Sequence, residues 1–171
     1  MAWSRCLRYG LLAALVISAP MYLPHLFLEP DPAWFRMSEI VGYTGMVLGM
    51  SATVLAIRSD RQTVAGGYGF ARGLRTGSVV ALTAALLFGL FTWVYLSTVG
   101  NKLMPALWDY YTAQLAAREL PLEQLAIERQ ALEEMRGLFF SPVFHGAVMA
   151  GTVFLIGLIE TLLGAWLLRR R

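Results

Sequence analysis

The chain has 171 residues, of which 57% are hydrophobic and 15% charged, with 14 Lys and Arg against 11 Asp and Glu. Soluble domains carry roughly a quarter charged residues, so this composition, with a mean hydropathy of +0.58, argues against a water-soluble globular protein. A single cysteine, Cys6, excludes an internal disulfide and a thiol metal cage.

The apolar residues fall into four blocks, 9–28, 38–57, 76–99 and 143–168. Each is close to the ~20 residues a helix needs to cross ~30 Å of hydrocarbon. The sequence therefore predicts an all-α, polytopic membrane protein: one domain over 1–171, four transmembrane helices in a compact bundle, and an outer helical cap over about 101–141.

The first block follows a basic start, MAWSRCLRYG, as in a signal peptide. Its apolar run continues through MYLPHLFL, and Ile17 stands where cleavage after Ala19 wants a small residue, so a retained first span is expected. EPDPAWFRM follows, and Pro30 and Pro32 predict a short non-helical link to span two. Ser38 and Glu39 open that span in MSEIVGY, where Ser38 suits a helix cap and Glu39 the positive end of the helix dipole. The loop SDRQTVAGGYGFARG comes next. Its glycines, Gly67, Gly69 and Gly73, do not fit the dinucleotide fingerprint, and no strand precedes them.

The third connection is the longest polar segment. KLMPALWDYYTAQLAAREL reads as helix after Pro105, Leu120-Pro121 breaks it, and LEQLAIERQALEEMRG reads as a second helix ending at Gly137. Leu122, Leu125, Leu132, Met135 and Phe139 recur on one face of it. The two helices form either a solvated cap over the bundle or a docking surface for an extracytoplasmic partner.

Span four carries Glu160 within FLIGLIETLLGAWLLRRR. It lies about 12 Å of helix from the inner end at ~1.5 Å per residue. It shares a face with Gly146, Met149, Val153, Gly157 and Gly164, and so points toward neighbouring helices. Ser18, Ser51 or Thr53, and Thr83 fall at similar depth. A polar layer that hydrogen-bonds a protonated Glu160 is expected, since burial disfavours the charge. Two roles stay open for it: a structural one, as glue or by reaching toward Arg75 at the membrane surface, or a proton or cation site of the kind intramembrane carboxylates mark.

Charge sorting sets the orientation. Arg5, Arg8, Arg58, Arg61, Arg72, Arg75, Arg169, Arg170 and Arg171 flank one set of span ends, nine of the 14 basic residues. The acids cluster at the other ends, with Asp60 the exception. Basic residues are retained in the cytoplasm, so both termini are expected there, in a bacterial inner membrane. Trp3, Tyr9, Tyr68 and Trp166 are expected at the inner interface; Tyr22, Trp34, Tyr43, Trp93 and Tyr95 at or near the outer one. The basic excess is thereby a topology signal, and no nucleic-acid partner is expected.

Each span also carries small residues at four-residue spacing, longest in Gly73, Gly77, Ala81, Ala85 and Gly89. Such rows let helices approach closely in lipid, within one chain or in a homodimer. Arg58, Arg61, Arg72 and Arg75 are candidates for an anionic lipid headgroup. His25, His145 and Glu39 lie near one level, but their spacing matches no local metal motif, and no metal or cofactor is expected.

SEIVGY, the basic end AIRSDR, GGYGFARGLRTG, the aromatic FTWVY, SPVFHG and the closing LLRRR together resemble the bacterial membrane family called domain of unknown function 4199. The resemblance implies the four-span topology and marks Glu39, Gly42, Tyr43, Gly66, Gly67 and Phe70 as family-type positions. It assigns no activity and does not include Glu160. The chain lacks HExxH, GxSxG, P-loop and CxxC motifs. The expected function is thus a non-enzymatic accessory or interaction protein, with membrane lipid, a second copy or a membrane or extracytoplasmic protein as partner. The alternative is a small transporter or an ion- or proton-conducting oligomer that uses Glu160.

Overall fold

The computed structural model describes residues 3–27 and 32–169, with the backbone alone for 25, 26, 32–34 and 101. The side chains of His25 and Trp34, together with Pro30, Arg170 and Arg171, therefore lie outside the described residues.

The described chain is helical almost throughout: α1 (Trp3–Phe27), α2 (Pro32–Met50), α3 (Ala52–Gln62), α4 (Phe70–Thr98), a 3-10 turn (Gly100–Lys102), α5 (Leu103–Ala116), α6 (Leu122–Glu134), α7 (Arg136–Phe139) and α8 (Pro142–Leu168). α2 runs into α3 through Ser51, whose N–H donates to the Val47 carbonyl at 3.2 Å while its own carbonyl accepts from Leu55 N–H at 3.1 Å. Four stretches are long and apolar enough to cross a membrane: Trp3–Pro24, Phe35–Gln62, Phe70–Thr98 and Pro142–Leu168.

Three of these overrun the blocks read from hydropathy, at their basic ends. Apolar character marks where hydrocarbon begins, not where backbone hydrogen bonding stops. Long arginine side chains extend a helix past that boundary while their heads remain in a polar layer.

The prolines correct two expectations. Pro32 begins α2 rather than holding the link open, because a first-turn proline lacks only an N–H that has no helical partner anyway. Ser38 and Glu39 are consequently inside α2, so neither caps it nor sits in its first turn. α5 likewise begins before Pro105, and Gly137 lies within α7 instead of ending α6. Pro142 opens α8, with the Ser141 hydroxyl oxygen accepting from Phe144 N–H at 3.3 Å.

The small-residue rows meet helices of the same chain. A Cβ on Gly89 would lie 2.7 Å from both Ala150 Cβ and the Gly146 carbonyl oxygen; one on Gly77 would lie 2.6 Å from Thr161 Oγ1. Gly73 faces Ala165, so α4 and α8 run antiparallel at close backbone approach. Gly10 fits α1 against Thr83, Gly49 fits α2 against Ile17, and Gly157 and Gly164 fit α8 against Met50, Val54 and Ile57. Met50, Val80, Phe88 and Val153 fill the centre, while Leu12, Leu48, Leu86, Leu155 and Leu167 are exposed on the outside.

Three aromatics expected at the membrane interfaces, Tyr22, Tyr68 and Tyr95, are covered by protein. Tyr22 and Tyr95 are buried, with ring centroids 4.7 Å apart, and the Tyr22 hydroxyl lies 2.7 Å from Thr92 Oγ1. Tyr68 is also buried.

α5 rests on α2 through Tyr110, whose ring centroid is 5.3 Å from that of Phe35. Trp108 is buried against Phe139 and Phe140 under the Arg136 guanidinium. Arg118, just after α5, pairs with Glu128 of α6 at 3.0 Å. α6 buries none of its residues. Its expected apolar face is split: Leu122 and Met135 are exposed, and Leu125 and Leu132 half-covered.

Candidate functional site

Under α5, at the end of the bundle that carries α5–α7, α1, α2, α5 and α8 enclose a cavity of about 300 Å³. Met21, Met46 and Met149 line it from three helices, with Phe35, Leu103 and Leu107 completing the apolar wall. Methionine is flexible and polarisable, and such walls accommodate ligands of differing shape. Glu39, Tyr43 and Tyr111, with Tyr22 and Ser38, supply the polar groups.

The register of α2 builds this site. Glu39, Gly42, Tyr43 and Met46 recur at three- and four-residue spacing and so share one side of the helix. Glu39 and Tyr43 are exposed, which sets the carboxylate at the mouth, while Met46 is buried at the inner end. Gly42 leaves the wall open: a Cβ there would meet only Met21, at an ordinary 3.9 Å.

The Tyr111 hydroxyl donates to Glu39 Oε1 at 2.8 Å. Burial first, and then this carboxylate, push the Tyr111 phenol well above its ordinary value, so it remains a donor. The hydrogen bond fixes one carboxylate oxygen and ties α5 to α2 across the cavity.

The structure thus unites Glu39, Gly42 and Tyr43. Gly66, Gly67 and Phe70 lie at the opposite end, in and after the 63–69 loop. Gly66 takes φ +125°, a conformation that favours glycine, and it, Gly67 and Phe70 are exposed. Arg58 and Arg75 are exposed there too, with Arg61 half-buried.

Arg72 is committed elsewhere. Its Nε lies 2.8 Å from Asp60 Oδ2 and its Nη2 donates to Oδ1 at 3.3 Å. Asp60 is buried and also accepts from the Tyr68 hydroxyl at 3.1 Å and the Thr76 hydroxyl at 3.3 Å. Arg5 Nη1 donates to the neighbouring Ser59. This knot joins α1, α3, the loop and α4. His145 donates from Nε2 to the Phe139 carbonyl at 2.6 Å.

Glu160 differs from expectation. Its Oε1 is buried without a hydrogen-bond partner. Of the companions anticipated for it, Thr83 donates to the Val79 carbonyl and Ser51 to the Leu48 carbonyl, both at 2.7 Å. A helical hydroxyl satisfied by its own preceding turn is withdrawn from any shared layer.

Sequence reading missed Tyr111, which approaches Glu39 from 72 positions away, and treated Asp60 only as an exception in a charge count. The signal for Asp60 was present: an acid and Arg72 facing each other across a glycine turn.

The model of a family described as protein of unknown function (DUF4199) matches residues 8–170. No curated protein and no solved structure matches the chain.

Proposed function

We propose, for a chain that belongs to the DUF4199 family, a membrane-embedded, non-enzymatic accessory protein that binds a cationic amphiphile in the cavity beneath α5. The observation that supports it is the pairing of a methionine-rich apolar wall with one carboxylate at the mouth. An apolar chain of modest length enters the cavity, and an amine or similar donor-bearing head meets Glu39. The volume lies at the small end of ligand sites. Among the described lining residues the polar groups are a carboxylate and hydroxyls, with no imidazole or thiol beside them, a set suited to holding rather than transforming a ligand.

Positive-inside sorting supports an inner-membrane location with both termini in the cytoplasm, which makes the cavity extracytoplasmic and α5–α7 an outer cap. The exposed Leu122 and Ile127 of α6 support an interaction role for that cap. Conduction by an oligomer through Glu160 is the second reading, favoured by the unpartnered Oε1.

The test uses photoreactive alkylamine and fatty-acid probes of equal chain length on the purified, lipid-reconstituted protein. The amine probe should crosslink to α2 or α5, several-fold less in Glu39→Gln, and be blocked by Gly42→Leu, which fills the cavity. Equal labelling by the fatty-acid probe, or labelling indifferent to both substitutions, contradicts the proposal.

A further inference from the structure

Three oxygen atoms in the bundle are buried without a hydrogen-bond partner among the described residues: Thr53 Oγ1 on α3, and Glu160 Oε1 and Thr161 Oγ1 on α8. Thr53 and Thr161 are completely buried. They stand out because Thr83, Thr98, Thr112 and Thr152 all donate to a carbonyl of the preceding turn.

Packing brings the three to one level. Gly157 meets Met50, and Gly164 meets Val54 and Ile57; Glu160 and Thr161 lie between those contacts, at the height of Thr53. Thr161 also stands against Gly77 of α4, where the missing side chain leaves its hydroxyl facing backbone. Buried polar oxygens normally find a partner, and each left without one costs about 1–3 kcal/mol. Two hydroxyls and a carboxyl oxygen need a ligand that both donates and accepts, as buried water does.

We propose that Thr53, Thr161 and Glu160 form an intramembrane proton-binding site, in which the two hydroxyls hold water beside a reversibly protonated Glu160 carboxyl. On the elements packed against α8, the titratable and charged groups at the near end are Arg58, Asp60 and Arg61 of α3 and Arg72 and Arg75 of α4. Asp60 and Arg72 neutralise each other. Glu39 and Tyr43 of α2 are at the far end. No described charged side chain forms an ion pair with Glu160, which leaves a proton free to bind there. This site is separate from the cavity under α5, and either can fail without the other.

The experiment is infrared spectroscopy of the lipid-reconstituted protein across a pH titration, with carbodiimide labelling in parallel. The expected result is a protonated-carboxyl band that disappears in Glu160→Gln, vanishes as pH rises, and shifts upward in the Thr53→Val, Thr161→Val double variant as the water is lost. Valine keeps the shape of threonine, so that variant should fold. Labelling at Glu160 should fall several-fold over the same pH range and be the same in sodium and choline chloride. Absence of the band at every pH, a band unmoved in the double variant, or protection by sodium overturns the proposal, the last in favour of a cation site.

Discussion

Gly89→Leu should destabilise the protein by about 3 kcal/mol or more, at the upper end of overpacking effects. A Cβ at Gly89 would lie 2.7 Å from the Gly146 carbonyl oxygen as well as from Ala150. The oxygen is backbone and cannot rotate aside, so α4 and α8 must part along their length. Separation forfeits dispersion over the whole seam, and lipid supplies little hydrophobic drive to close it again. Gly151→Leu is the matched control: nothing lies within 4 Å of its Cβ, so its effect should stay within about 0.5 kcal/mol. Thermal unfolding in detergent, followed by reaction of a thiol dye with the buried Cys6, compares the two. Equal melting temperatures would show that α4 and α8 do not meet at Gly89.

Asp60→Ala ranks next, with an expected cost of about 3 kcal/mol, the low end for breaking a buried ion pair because the Arg72 side chain is 40% exposed. The loss has two parts. Arg72 forfeits its partner, and the buried hydroxyls of Tyr68 and Thr76 forfeit their acceptor. Asp60→Asn retains an acceptor for those hydroxyls and should recover about half the loss. Arg72→Ala leaves the carboxylate buried without its ion-pair partner and should also destabilise the protein. The double alanine variant should cost much less than the sum of the two. Additive losses in denaturation of the four variants would mean that Asp60 and Arg72 act independently.

These two predictions separate what the residues disclose from what they conceal. The rows through Gly89 and Gly157 are visible in the linear sequence because helical spacing is local, and the helices use them as that spacing implies. Span positions were legible for the same reason, since hydropathy is summed over neighbours. Helix starts were less so: Pro32 permits either a link or a first turn, and the local sequence does not decide between them. The Tyr111–Glu39 and Asp60–Tyr68–Thr76 hydrogen bonds depend on which helices adjoin and at what rotation. No local pattern encodes that. Glu160 shows the limit plainly. Its depth and its side of α8 follow from counting residues, but its lack of a partner depends on where the Ser51 and Thr83 hydroxyls turn, and both turn to their own backbone.

Side-specific labelling of single cysteines in a Cys6→Ala chain, in sealed vesicles, is the most direct measurement of the architecture on which both the cavity and the Glu160 site depend. Ala65→Cys probes the loop before α4, and Gly137→Cys probes α7; both positions are exposed. With four helices crossing the bilayer, a membrane-impermeant reagent added from one side labels one position, and added from the other side labels the second. Labelling of both positions from the same side would contradict it, since α4 and α8 could not then each traverse the membrane between the loop and the cap.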